Sequence, residues 1–139
     1  MRVMHTYDYA VLRVVPRVER GEFVNAGIIL SCDLERHLHA CVELDTPAVL
    51  ALDPQADLGM IRRTLETVPA ICAGGPAAGP IGRLSPRERF HWLVAPRSTV
   101  VQTSPVHTGR CSDLGAALRH LMAAMVRRVP RQPPTSTAP

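Results

Sequence analysis

Lysine is missing from this chain, and all 16 of its basic residues are arginine. Its formal charge of +4 therefore rests on guanidinium groups, which grip carboxylates and phosphates with two parallel hydrogen bonds. These arginines form no dense stripe with aromatics between them, the footprint of a nucleic-acid binder, so nucleic acid is not an expected partner. Aromatic residues are nearly missing as well: only Tyr7, Tyr9, Phe23, Phe90 and Trp92 occur in 139 residues. A core must then be aliphatic, built from a chain that is 46% hydrophobic. No run reaches the ~18 apolar residues of a membrane span. The opening "MRVMHTYDYAVLRVVPR" lacks both the apolar centre and the small-residue cleavage site of a signal peptide. Four cysteines without a compact framework are expected to be reduced, which points to the cytoplasm. Walker, Rossmann, H-E-x-x-H and G-x-S-x-G motifs are absent too, so no catalytic class is specified and no cofactor is expected.

The length fits one domain, expected over residues 1–129, with the polar and proline-rich 130–139 as a disordered tail. "TYDYAVLRVVP" (6–16), "EFVNAGIILSC" (22–32) and "HLHACVEL" (37–44) are strand-like and closely spaced, which predicts an antiparallel meander. Asp53 and Pro54 can start a helix whose apolar face is Leu58, Ile61, Leu65 and Val68, ended or kinked by Pro69. The Gly and Pro content of 73–82 excludes regular structure there. Ser85, Pro86 and Glu88 form a capping box for a short helix that Pro96 stops. "RSTVVQTS" (97–104) predicts one further strand, kept short by Pro105. Ser112 or Asp113 would cap an amphipathic helix through Leu114, Leu118, Leu121, Met122, Met125 and Val129. The fold expected is α+β: a meander plus one strand, packed by two main amphipathic helices and a short capped one.

Polar residues are concentrated where the chain otherwise looks like a strand. Arg97, Ser98 and Thr99 could cradle an oxyanion, with Gln102 nearby. Ser104, His107 and Thr108 lie beyond, and His107 is the candidate catalytic acid or base because imidazole titrates near neutrality. Asn25, in an apolar strand beside Gly27, suits a structural hydrogen bond better than a ligand contact. Arg20 and Glu22, on the turn before it, suit a solvated charged hairpin. Cys32, His37, His39 and Cys41 would share one sheet face if 33–36 is a turn, but no known zinc spacing is present, so no metal is expected. Cys72 suits a small core residue, and Cys111 lacks an identified base.

The blocks "YDYAVLRVVPRVERGEFVNAGIIL", "ELD", "LALDP", "PIGRL" and "RFHWLVAPRSTVVQTSPVHTG" resemble the bacterial family known as domain of unknown function 3037, over Tyr7 to Val126. The resemblance implies a small α+β protein with no established activity or catalytic residues. It also implies a working partner, since members lie in genes beside a HipA-like kinase. The expected function is a noncatalytic accessory module that binds a protein through 97–108 and the 17–25 hairpin. The alternative is an enzyme or ligand-binding domain holding an anionic substrate with Arg97, Ser98, Thr99 and His107. A homodimer through an exposed strand edge is compatible with either reading.

Overall fold

Strand β1 (His5–Val14) is the spine of the molecule. In the computed structural model, which describes residues 2–128, it pairs with β2 (Val24–Cys32) on one side and with β4 (Val101–Thr103) and β5 (His107–Cys111) on the other. β3 (His37–Val42) extends the sheet beyond β2, and every pairing is antiparallel. Alternate strand residues face opposite sides. Leu12 and Ile29 pack with Val68, Phe90 and Leu93 of α2 (Leu58–Ala73) and α3 (Pro86–Val94). Val11, Ile28 and Leu30 pack the other way, against Leu121 of α4 (Leu114–Leu121) and the π-helical turn Met122–Val126 that follows it. α1 (Thr46–Leu52) closes one end, where Val49 meets Val14, Ile61 and Leu65. Burying each such aliphatic side chain is worth about 1.5–3 kcal/mol, which is how an aliphatic chain holds an α+β sheet covered on both faces.

Local chemistry sets the helix starts. Asp45, Asp57, Ser85 and Asp113 each accept the main-chain N–H three residues on, and the Ser85 hydroxyl also donates to the Glu88 carboxylate at 2.9 Å, so the capping-box pair meets through its side chains. The meander register places Cys32 opposite His37 and Leu30 opposite His39. A bulge interrupts β2 between its pairs with Leu12 and Arg13. Gly27 sits at this bulge because a Cβ there would lie 2.5 Å from the carbonyl oxygen of Cys41.

Several expectations are corrected. The first two helices are separate: Asp53 ends α1, and Asp57, not Asp53 with Pro54, begins α2. α2 runs through Pro69 to Ala73, with Val68, Ile71 and Cys72 buried on either side of the proline, so packing outweighs its lost hydrogen bond. The 73–82 connector is not irregular throughout, since 76–83 forms 3-10 turns broken at Gly79, whose φ is 71°. β2 and β3 are shorter than expected, beginning at Val24 and ending at Val42. The single strand expected over 97–104 is only Val101–Thr103, and β5 is a fifth strand that the sequence did not announce. The expected tail, 130–139, and Val129 lie outside the described residues.

β4 and β5 are one edge broken once. Thr103 pairs with Leu12 and His107 with Tyr9, so Ser104, Pro105 and Val106 face only Ala10 and Val11. Proline has no N–H to give the ladder. Ser104 repairs the break: its N–H donates to the Val11 carbonyl at 2.8 Å, and its hydroxyl oxygen accepts the Val11 N–H at 2.8 Å. A side chain thus stands in for a main-chain carbonyl.

Candidate functional site

A cavity of about 190 Å³ lies among α2, the C-terminal end of α3 and β4. Leu12, Val68, Ile71, Leu93 and Val101 give it apolar walls, and Thr64, Thr67, Arg97, Thr99, Gln102 and Thr103 bring polar groups to its lining. Trp92 stands at the cavity 41% exposed, and the Arg97 guanidinium lies 4.3 Å from its ring centroid. Arg97 also donates to the carbonyls of Trp92 at 2.7 Å and Leu93 at 3.2 Å. It caps the last turn of α3, where a cation is favoured by the negative end of the helix dipole.

The hydroxyl donors lining the cavity are spent internally. Thr64 donates to Met60 O at 2.9 Å, Thr67 to Thr64 O at 2.6 Å and Thr99 to Val101 O at 2.8 Å; Thr103 reaches Val94 O at 3.4 Å. One amide hydrogen of Gln102 goes to Thr99 O at 2.8 Å. What remains on the lining is acceptor capacity on the hydroxyl oxygens and the Gln102 carbonyl, together with the second Gln102 amide hydrogen and the Arg97 N–H groups outside its capping bonds.

Of the residues singled out in the sequence, Arg97, Thr99 and Gln102 line this cavity, while Ser98 is exposed beside them. Ser104 is 3% exposed and belongs to the strand repair. His107 does not join them. It pairs with Tyr9, three residues from Leu12 and so on the opposite face, and its ring lies 5.4 Å from that of Tyr9. Thr108 serves a second polar group, which the sequence reading missed apart from that threonine. Asp8 accepts from Thr108 at 2.8 Å and from Arg87 at 2.7 Å, and Arg87 also donates to Ser31 at 3.1 Å. Burial works against the Asp8 carboxylate, but the bonds from Arg87 and Thr108 and the nearby positive charge outweigh it and hold its pKa below the usual carboxylate value. This cluster ties the first turn of α3 to three strands.

Arg20 pairs with Glu22 in the exposed 17–23 loop, away from the cavity. Asn25 donates to the Met125 carbonyl at 2.9 Å, anchoring the turn after α4. His37 and His39 share the α4 face with Cys32 and Cys41, their rings 4.3 Å apart, and among the described residues no three His, Cys, Asp or Glu are grouped to hold a metal ion. Burial, helped by His39, lowers the His37 pKa against the opposing pull of Glu35. Burial pushes the Cys72 thiol up to about 12, so it is not a nucleophile at neutral pH.

The missed residues had only faint signals: Thr64 and Thr67 are exposed hydroxyls three apart on a helix, and Asp8 is a lone acid in a strand-like run. Among the described residues no helix is long and apolar enough to cross a membrane. No curated protein and no solved structure matches the chain. One family model does, described as "Protein of unknown function (DUF3037)", over residues 9–126. With that much of its length matched, including the cavity lining and all of the meander from Tyr9 onward, the chain belongs to the DUF3037 family.

Proposed function

We propose that this protein is a noncatalytic module that binds a protein partner through the cavity beside Trp92 and Arg97. The observation that carries the reading is the pair itself: an exposed tryptophan held against a guanidinium that is already fixed by two carbonyls. Trp and Arg dominate binding energy at protein interfaces, and side chains ordered in advance lose less freedom on binding. The cavity is smaller than the ~300–1,000 Å³ of small-molecule sites, and suits one anchoring side chain better than a cofactor. A kinase of the HipA-like kind, implied by the family resemblance, is the partner expected, and a cytoplasmic location accords with reduced cysteines.

The test is recovery of a tagged copy from its native host at native expression. A stoichiometric partner is expected with the parent and with His107→Ala, and should be lost with Trp92→Ala. A partner kept by Trp92→Ala, or none above background, would remove this reading. A small-ligand role keeps one observation in its favour, since Arg97 has further N–H groups beyond the two in its capping bonds. Saturable binding of phosphate or acetate, weakened by Arg97→Ala, would promote it.

A further inference from the structure

The hydrogen-bond pattern around the cavity says what kind of group it takes. We infer that the cavity holds a ring-bearing partner side chain ending in a neutral hydroxyl, a tyrosine. The inference rests on the proposed protein-binding role and deepens it.

Three facts combine. The walls formed by Leu12, Val68, Ile71, Leu93 and Val101 are apolar, and 190 Å³ is room for one ring rather than an extended ligand. Thr64, Thr67 and Thr99 have each given their only hydroxyl hydrogen to a main-chain carbonyl, so their oxygens can only accept. The carbonyls of Trp92, Leu93 and Val94, at the negative end of α3, are bonded by Arg97 and Thr103, both of which line the cavity. The lining also keeps donors, the second Gln102 amide hydrogen and the Arg97 N–H groups outside its two capping bonds, so it can pair both the hydrogen and the oxygen of a phenol hydroxyl. The ring would replace water against the aliphatic wall.

The experiment uses the full chain and its single tryptophan, Trp92, as the reporter. Trp92 is excited at the red edge of the indole absorption band, where simple benzenes do not absorb, and its emission is followed. The probes are p-cresol, the tyrosine side chain; toluene, which lacks the donor; and 4-methylbenzoate, which replaces it by an anion. p-Cresol should bind about 3- to 10-fold more tightly than toluene, the range of one net hydrogen bond, and more tightly still than 4-methylbenzoate. Thr64→Phe, an exposed helix position at the cavity, should block all binding without harming the fold. A Gln102→Met, Thr67→Val double variant should bring p-cresol down to the level of toluene. If toluene or 4-methylbenzoate binds as tightly as p-cresol, the donor inference is overturned while the cavity survives as a binding site. If no probe changes Trp92 emission, or if Thr64→Phe leaves binding intact, the inference and the cavity as a docking site fall together.

Discussion

Between Arg97 and Thr103 the chain meets β1 through three residue pairs and surrounds a cavity, whereas between His107 and Cys111 it meets the same strand through five and leaves none. Both segments mix hydroxyl and basic side chains: Ser98, Thr99 and Thr103 with Arg97 in the first, Thr108 with His107 and Arg110 in the second. In the second, Thr108, Asp8 and Arg87 satisfy one another and draw α3 down onto the sheet by its first turn. In the first, Arg97 caps the last turn of the same helix, Thr103 reaches Val94 O and Leu93 is buried against the sheet, and the space beside Trp92 is left open among these contacts. Polar residues in a strand-like stretch are thus poor guides to a site. What separates a structural cluster from a candidate pocket is whether the partners close the space between elements or only finish one element's hydrogen bonds.

Removing the repair that joins the two segments should cost most. Ser104→Ala strands the buried Val11 N–H and should lower stability by about 2–3 kcal/mol, toward the upper end of the range for an unsatisfied buried donor, as read by urea unfolding. Asp8→Asn should cost less, about 1–2 kcal/mol at pH 7, because a charge-assisted pair is reduced to a neutral one at a partly exposed place. Its sign with pH is fixed. The folded pKa of Asp8 lies below its unfolded value of about 3.9, so its stabilisation is complete above that value and is lost as pH falls through the folded pKa. The parent and Asp8→Asn should therefore converge in stability as pH falls below about 3.9, and a constant gap between them would remove the ion pair as the cause. Trp92→Ala should change stability by only about 0.5–1 kcal/mol, the worth of an exposed cation–π contact, while abolishing partner recovery. His107→Ala should be smallest, about 0.5 kcal/mol for its ring contact with Tyr9, with p-cresol binding unchanged. Weakened p-cresol binding in that variant would mean that the two sheet faces communicate.

Short-range chemistry was legible in the sequence. The turn at 33–36 and the alternation on either side put Cys32 opposite His37, and Ser85 with Glu88 announced the start of α3, because each depends on residues close in the chain. α1 carried the same kind of signal, an Asp45 cap followed by Pro47, but seven residues are too few for periodicity to stand out. β5 was hidden because Pro105 reads as the end of a strand, and nothing local reveals that a serine hydroxyl will carry the ladder past it. The Asp8 cluster was beyond reach for a different reason: Arg87 lies 79 positions from its carboxylate, and only the packed sheet brings them together. Arg97 was visible as a cation but not as a cap, since its carbonyl partners Trp92 and Leu93 become neighbours only after α3 has formed.

The Ser104 hydroxyl also sets how this edge should breathe. Amides in a ladder are normally released to solvent exchange together, as a strand peels away. The Val11 amide, deep in the central strand, is held instead by a side-chain oxygen whose own hydrogen goes to the Pro105 carbonyl at 2.9 Å, so it can open by one rotation about the Ser104 Cα–Cβ bond while its neighbours on β1 stay paired to β2. Its deuterium uptake should therefore run faster than that of Leu12 or Ala10, a local clock for one hydroxyl. Because the seam lies between β4 and β5, the cavity-bearing segment can loosen without disturbing the half that clamps α3.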